Sequence, residues 1–246
     1  MPQLLNILHE DAELLVLNKP AGLVCHPTKG DPTSSLIGRV RLHLGAGARP
    51  HLVNRLDRET SGVTLVAKTD TAARELRRLW ESRAVEKQYL AIVHGHVRAD
   101  GGEISAPLGR DERSAVAVKD CVRPDGLPAL TTFQVLKRLE RPEGPFTLLR
   151  VWPLTGRKHQ IRIHLAHIGH PVVGDKLYGG DESLYLALVK GRLSEEQRAR
   201  LLLPYQGLHA AAVRWHWRGA DAAFSCPPEP WFAAFAQEAF ADALGA

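Results

Sequence analysis

Apolar residues along the chain fall into short blocks, and the spacing within each block predicts the element it forms. Glu13 to Asn18 is a compact apolar run stopped by Lys19-Pro20-Ala21-Gly22, the pattern of a buried strand entering a turn. From Thr33 to Leu44 the period lengthens: Leu36, Ile37, Val40 and Leu44 share one helical face, and Gly45 supplies the stop. A polar connection over Pro50–Gly62 leads to a strand-like block, Val63–Ala67. Thr69 or Asp70 caps a second helix running to about Arg83, with Leu76, Leu79 and Trp80 as its buried stripe. Tyr89, Ala91 and Val93 alternate as one face of a strand, and Asp100-Gly101-Gly102 reads as a turn. Strands are predicted over Thr131–Leu136 and Phe146–Trp152, either side of the breaker Arg141-Pro142-Glu143-Gly144-Pro145.

His159–Ile168 fits both periods. Ile161, Ile163 and Leu165 alternate, whereas Ile161, Leu165 and Ile168 repeat as a helix would, and the Gly169/Pro171 stop favours the helix. Ser194 with Gln197 forms a capping box for a helix to about Leu203; Leu208–Val213 returns to strand, and Trp231–Leu244 closes as an apolar helix. Strands and helices mix without βαβ alternation, which predicts an α+β fold around a mixed, largely antiparallel sheet with flanking helices. There is no internal repeat or long linker, so 1–246 is read as one domain.

At 246 residues, 44% hydrophobic and 24% charged, the chain can bury a core without staples. No apolar leader opens it, and no stretch approaches the roughly 18 apolar residues of a membrane span, so a cytoplasmic protein is expected. Cys25, Cys121 and Cys226 are scattered and read as reduced thiols. A net charge of +5 favours a polyanionic partner.

Two clusters carry candidate chemistry. In Arg55-Leu56-Asp57-Arg58-Glu59-Thr60-Ser61-Gly62 one carboxylate stands among guanidinium groups that favour its ionised form. That suits a nucleophile or base, although such paired charges are more often a structural ion pair in a turn. In Leu154 to His164, Gly156 permits close backbone approach while Arg157 and Lys158 precede a helix, a setting that attracts phosphate or forms a solvated basic face. His164, His167 and His170 lack a HExxH pattern or a local carboxylate, so no metal is expected. No phosphate-binding or dinucleotide glycine loop is present, so no nucleotide cofactor is expected either.

Arg55–Gly62 resembles the RLDxxTSG signature of the RluA-type RNA pseudouridine synthases. Asn18-Lys19-Pro20-Ala21-Gly22-Leu23 with His26-Pro27, Gln88-Tyr89-Leu90-Ala91, Thr155–Arg162 with Gly169-His170-Pro171 and Gly174-Asp175, and Leu208-His209-Ala210 match the family's other motifs in order. The chain departs from the pattern at Asn54, usually His, and at Lys158, usually Thr or Ser. With the first motif beginning by Asn18, only a catalytic domain is expected, without the small N-terminal S4 RNA-binding domain of many relatives.

The resemblance implies a cofactor-free isomerase that detaches uracil from C1′ through N1, turns it, and rejoins it through C5, on a uridine of structured ribosomal or transfer RNA. It implies Asp57 as the catalytic carboxylate, Tyr89 against the uracil ring, and Arg162 as the partner of the carboxylate. Arg55 would fill the gap left by the flipped nucleotide, a flip required because stacking hides the reacting bonds. Arg58, Lys19, Arg157, Lys158 and His159 are expected to contact RNA, and Leu208 and Ile161 to floor the base pocket. No obligate protein partner is implied, and a monomer is expected. A non-catalytic RNA-binding module on the same fold, or a metal-dependent nuclease using the histidines, are the alternatives.

Overall fold

The structure is a computed structural model and describes residues 4–27 and 31–240. Along the chain run β1 (Ile7–Glu10), β2 (Leu14–Lys19), α1 (Leu36–Leu44), β3 (His51–Leu52), β4 (Ser61–Ala67), α2 (Asp70–Glu81) and β5 (Val85–His94). They are followed by β6 (Gly101–Ser105), β7 (Leu108–Arg110), β8 (Asp120–Val122), β9 (Leu130–Arg141), β10 (Gly144–Pro153) and α3 (Gln160–His167). The chain ends through α4 (Ser183–Val189), α5 (Glu195–Leu201), β11 (Leu208–Trp217), β12 (Ala220–Ser225) and α6 (Pro230–Ala236). These form two compact units, the first made of the described residues up to Lys87 with His209–Ala233 and residues 239–240, the second of Gln88–Leu208 with Ala234–Glu238.

In the first unit β4 is central. It pairs antiparallel with β2 and with the short β3, and parallel with β11, which continues antiparallel into β12. Every residue of β4 is buried, because both faces of the sheet are covered. Val63, Leu65 and Ala67 join Leu14 and Val16 against Ala72, Ala73 and Leu76 of α2. On the other face, Val66 joins Leu15 and Leu17 against Leu36, Ile37 and Val40 of α1. A strand covered on both faces has no polar side to show, hence the unbroken apolar runs in the sequence. The helices begin where their caps allow: Ser35 Oγ accepts from Gly38 N, and Thr69 Oγ1 from Ala72 N.

The second unit is an antiparallel sheet in the order β5-β10-β9-β6, with the β7–β8 pair separate from it. Ile161 and Leu165 of α3 pack with Ala91, Val93, Leu149 and Val151, while Ile163 enters a second cluster with Leu108 and Ala129. All six residues Gln160–Leu165 are buried. A helix enclosed all round loses its one-sided apolar stripe, which is why its period was ambiguous in the sequence.

The mixed, largely antiparallel α+β class expected from the sequence is the class observed. Two local expectations are corrected. Gly101 and Gly102 are not a turn; they open β6 and pair with Gln134 and Phe133. The last helix ends at Ala236 instead of running to Leu244, with Gln237 in the left-handed region (φ 49°); residues 241–246 lie outside the described residues. Among the described residues, no helix is long and apolar enough to cross a membrane.

Candidate active site

Asp57 lies in the connection between β3 and β4, half-buried, with Leu56 buried on one side and exposed Arg58 on the other. The turn is held at several points on either side of the carboxylate. Before it, the Leu56 carbonyl accepts from Cys25 Sγ (3.3 Å), and Leu56 N donates back to that sulfur (3.5 Å). After it, the Arg58 carbonyl accepts from Gly22 N (2.8 Å) and from Lys19 Nζ (3.2 Å), while Arg58 Nε donates to the Gly22 carbonyl (3.2 Å). Thr60 N closes the turn onto the Asp57 carbonyl (3.2 Å).

Lys19 therefore has a different place from the one expected. Its side chain is fully buried, and its ammonium donates to the Pro20 and Leu23 carbonyls (both 2.9 Å) as well as to Arg58. Burial pushes its pKa down to about 8, opposed by Cys25, Glu229 and Asp57. A buried lysine with three donors spent on main-chain carbonyls is not placed to grip a phosphate; it ties the Asn18–Leu23 segment to the Asp57 turn.

Beyond the turn, Gly62 (φ 115°) lets β4 touch β11: a Cβ there would lie 2.2 Å from the Ala210 carbonyl oxygen. Beside it, buried Ser61 meets His209 through Oγ and Nδ1 at 2.8 Å, and His209 Nε2 lies 3.0 Å from the Cys226 carbonyl. Asn54, at the position where the sequence departs from the family pattern, serves β4 as a strand would. Its Oδ1 accepts from Leu65 N (2.7 Å) and its Nδ2 donates to the Val63 carbonyl (3.3 Å).

In the second unit, buried Arg162 is gripped by Asp175 through two bonds, Nε to Oδ2 at 2.7 Å and Nη2 to Oδ1 at 2.8 Å. This fork fixes the guanidinium plane, and the Tyr178 ring lies 5.0 Å from its carbon. Asp175 also accepts from Leu177 N and Tyr178 N at Oδ1. Burial opposes its ionisation, but Arg162 and these amides outweigh that and hold its pKa below the usual value. Tyr89, on β5, packs half-buried against the cluster that contains Ile161, Leu165, Val151 and Leu208. The two expected pocket-floor residues and the expected stacking tyrosine thus belong to one apolar cluster.

The Thr155–Arg162 segment is organised by Gln160. Its Oε1 accepts from Thr155 Oγ1 (2.7 Å) and Arg157 N (2.9 Å), and its Nε2 donates to the Leu130 carbonyl (2.8 Å) and Thr131 Oγ1 (2.9 Å). His159, left-handed at φ 54°, hydrogen-bonds Tyr178 Oη through Nδ1 at 2.9 Å. Lys158 pairs with Asp120 at 3.0 Å, and Arg157 Nε donates to the Pro128 carbonyl (3.2 Å). Arg157 and Lys158 border a depression of about 570 Å³ beside the β7–β8 pair, where Arg110 and Arg123 also stand.

Both ring nitrogens of buried His164 are engaged, with Thr131 Oγ1 (2.8 Å) and the Ala106 carbonyl (2.9 Å). His170 bonds the His94 carbonyl (2.9 Å), and His167 is exposed. Among the described residues, no group of three or more His, Cys, Asp or Glu is arranged to hold a metal ion. The first unit thus assembles Lys19, Arg55, Asp57 and Arg58, and the second Tyr89, Arg157, Lys158, His159, Ile161, Arg162 and Leu208. Asp175, Gln160, Cys25 and the Ser61–His209 pair were missed as working residues. All but Cys25 stand inside the motifs quoted above, so the signal was present without an assigned role.

Residues 13–167 match the family model for RNA pseudouridylate synthase. An uncharacterized RNA pseudouridine synthase of Aquifex aeolicus is 41% identical over 207 residues, covering 82% of this chain and 63% of that protein. Ribosomal large subunit pseudouridine synthase D of Xanthomonas campestris is 42% identical over 179 residues, 72% of this chain and 52% of that protein. Among solved structures, human RNA Pseudouridylate Synthase Domain Containing 1 superposes with a TM-score of 0.73 at 28% identity, covering 95% of this chain and 88% of that one. The chain belongs to the RNA pseudouridylate synthase family. It spans about three fifths of the length of curated relatives it matches, 63% in one case and 59% in another.

Proposed function

We propose that this protein isomerises uridine to pseudouridine in RNA, with Asp57 as the catalytic carboxylate and Tyr89 and Arg162 acting with it. The observation that carries the reading is the Asp57 turn, whose main chain is fixed on both sides of a half-buried carboxylate. A carboxylate held this way starts its reaction without first losing conformational freedom. Tyr89 offers a flat, half-buried ring for uracil to stack on, packed against the cluster that holds Ile161 and Leu208. Asp175 keeps the Arg162 guanidinium oriented. Arg55 and Arg58 are exposed on the Asp57 turn and serve RNA, Arg55 by occupying the space a flipped nucleotide leaves.

The reaction breaks the bond from C1′ to N1 of uracil and makes one from C1′ to C5, after which the C5 proton leaves and N1 gains one. Atoms and electrons balance without a cofactor. Relatives from Yersinia pestis and Haemophilus ducreyi carry the name ribosomal large subunit pseudouridine synthase D, which favours large-subunit ribosomal RNA as the substrate. A cytoplasmic monomer acting as a single catalytic domain completes the reading.

The test is tritium release from an unmodified large-subunit ribosomal RNA transcript labelled at C5 of uridine, with pseudouridines then mapped in the product. Wild type releases tritium, and Asp57→Asn binds the RNA and releases none. Turnover by Asp57→Asn at the wild-type rate would overturn the assignment.

A further inference from the structure

We propose that His209 is a positioning residue, an imidazole that fixes Ser61 and through it the turn carrying Asp57, given Asp57 as the catalytic carboxylate proposed above. His209 and Ser61 are both fully buried. The Cys226 carbonyl, 3.0 Å from Nε2, can only accept a hydrogen bond, so Nε2 carries the ring proton. Nδ1 is then a bare acceptor, and the Ser61 hydroxyl, 2.8 Å away, donates to it. The imidazole thus joins β4, β11 and the segment after β12 through one rigid ring.

The latch sits at a short pairing of the sheet. The β4–β11 contact is registered at only two positions, Ser61 with His209 and Gly62 with Ala210. So short a parallel pairing holds its register poorly by main-chain bonds alone. The Ser61 side chain supplies a specific attachment at the residue where the turn becomes strand. Immediately before it, Thr60 N bonds the Asp57 carbonyl at 3.2 Å, so a displacement of Ser61 passes along a few bonds to the carboxylate. Cys25 and Lys19 secure the earlier part of the turn; His209 secures its exit. Burial keeps the ring neutral in the working range, with its pKa down at about 4, so Nδ1 stays available to accept.

Asparagine and glutamine divide the two functions of the ring. At position 209, Asn places an acceptor near the site of Nδ1 and lacks the reach to Cys226, whereas Gln places a donor near the site of Nε2 and leaves Ser61 without its acceptor. The experiment measures kcat and KM by tritium release from the ribosomal RNA transcript for wild type, Asp57→Asn, Ser61→Ala, His209→Gln, His209→Asn and the Ser61→Ala/His209→Gln double variant. Assays run well below each protein's melting temperature, which is recorded alongside.

Ser61→Ala and His209→Gln are expected to lower kcat by about 10- to 100-fold at unchanged KM, the effect of misplacing a reacting group without weakening binding. The double variant is expected to be no slower than either single one, and His209→Asn to keep kcat near wild type while melting earlier. Folded Ser61→Ala with wild-type kcat overturns the proposal, and does so even where His209→Gln fails to fold. So does His209→Asn losing as much kcat as His209→Gln. An active Asp57→Asn, or a silent wild type, overturns the reading of the Asp57 site itself and the latch with it.

Discussion

Buried charges and imidazoles set how individual residues respond to substitution and pH. Arg162→Met would leave the fully buried Asp175 without its counter-charge, and breaking such a pair from one side costs about 3–5 kcal/mol. The expected result is a matching fall in unfolding free energy in urea; Arg162→Lys recovers only part of it, because an ammonium cannot reproduce the two-pronged geometry. His209 gives a pH signature of its own. Its folded pKa of about 4 lies below the ordinary 6.5, so as pH falls through that window the unfolded chain takes up a proton that the folded one refuses. Stability is full above about 6.5 and declines toward pH 4, by roughly 3 kcal/mol from this group. Urea titrations at a series of pH values should show that slope in the wild type and its loss in His209→Asn.

Among the elements, the β4–β11 contact is the most demanding. Gly62→Ala meets the Ala210 carbonyl oxygen at 2.2 Å and also strains a φ of 115°. Gly144, in the tight β9–β10 hairpin, has a comparable φ of 128° but open space where a Cβ would go. Gly144→Ala should therefore cost about 1–2 kcal/mol of backbone strain, and Gly62→Ala distinctly more, since strand separation is added to the strain. Paired urea melts of the two variants test the difference.

The same elements mark what was legible beforehand. The starts of α2 and α5 were readable because Thr69 and Ser194 cap them with local bonds, whereas α1 begins at Leu36 behind a Ser35 cap, not at Thr33 as the apolar spacing suggested. Strands β7, β8 and β12 left little trace, since their half-exposed residues alternate weakly and their pairing partners decide them. The candidate site was legible as motifs. That Lys19 is buried was not, because only the fold brings the Arg58 carbonyl to a residue 39 positions earlier.

For the molecule as a whole, the surplus of basic side chains matters through the RNA backbone. With a net charge of +5 and exposed Arg55 and Arg58 on the Asp57 turn, RNA affinity should fall steeply with salt. Four or five phosphate contacts would weaken binding about 10²-fold or more between 50 and 200 mM monovalent salt. A filter-binding series over that range checks it, and an affinity flat in salt would contradict phosphate-led docking. The first unit also has a temporal consequence. Its central strand β4 is synthesised early, yet one neighbour of that strand, β11, begins at residue 208. A growing polypeptide halted on the ribosome before that point carries the aspartate turn beside an unpaired strand edge. The centre proposed for uridine chemistry is therefore finished only once β11 has been made, and a message cut short upstream of β11 yields a protein lacking it.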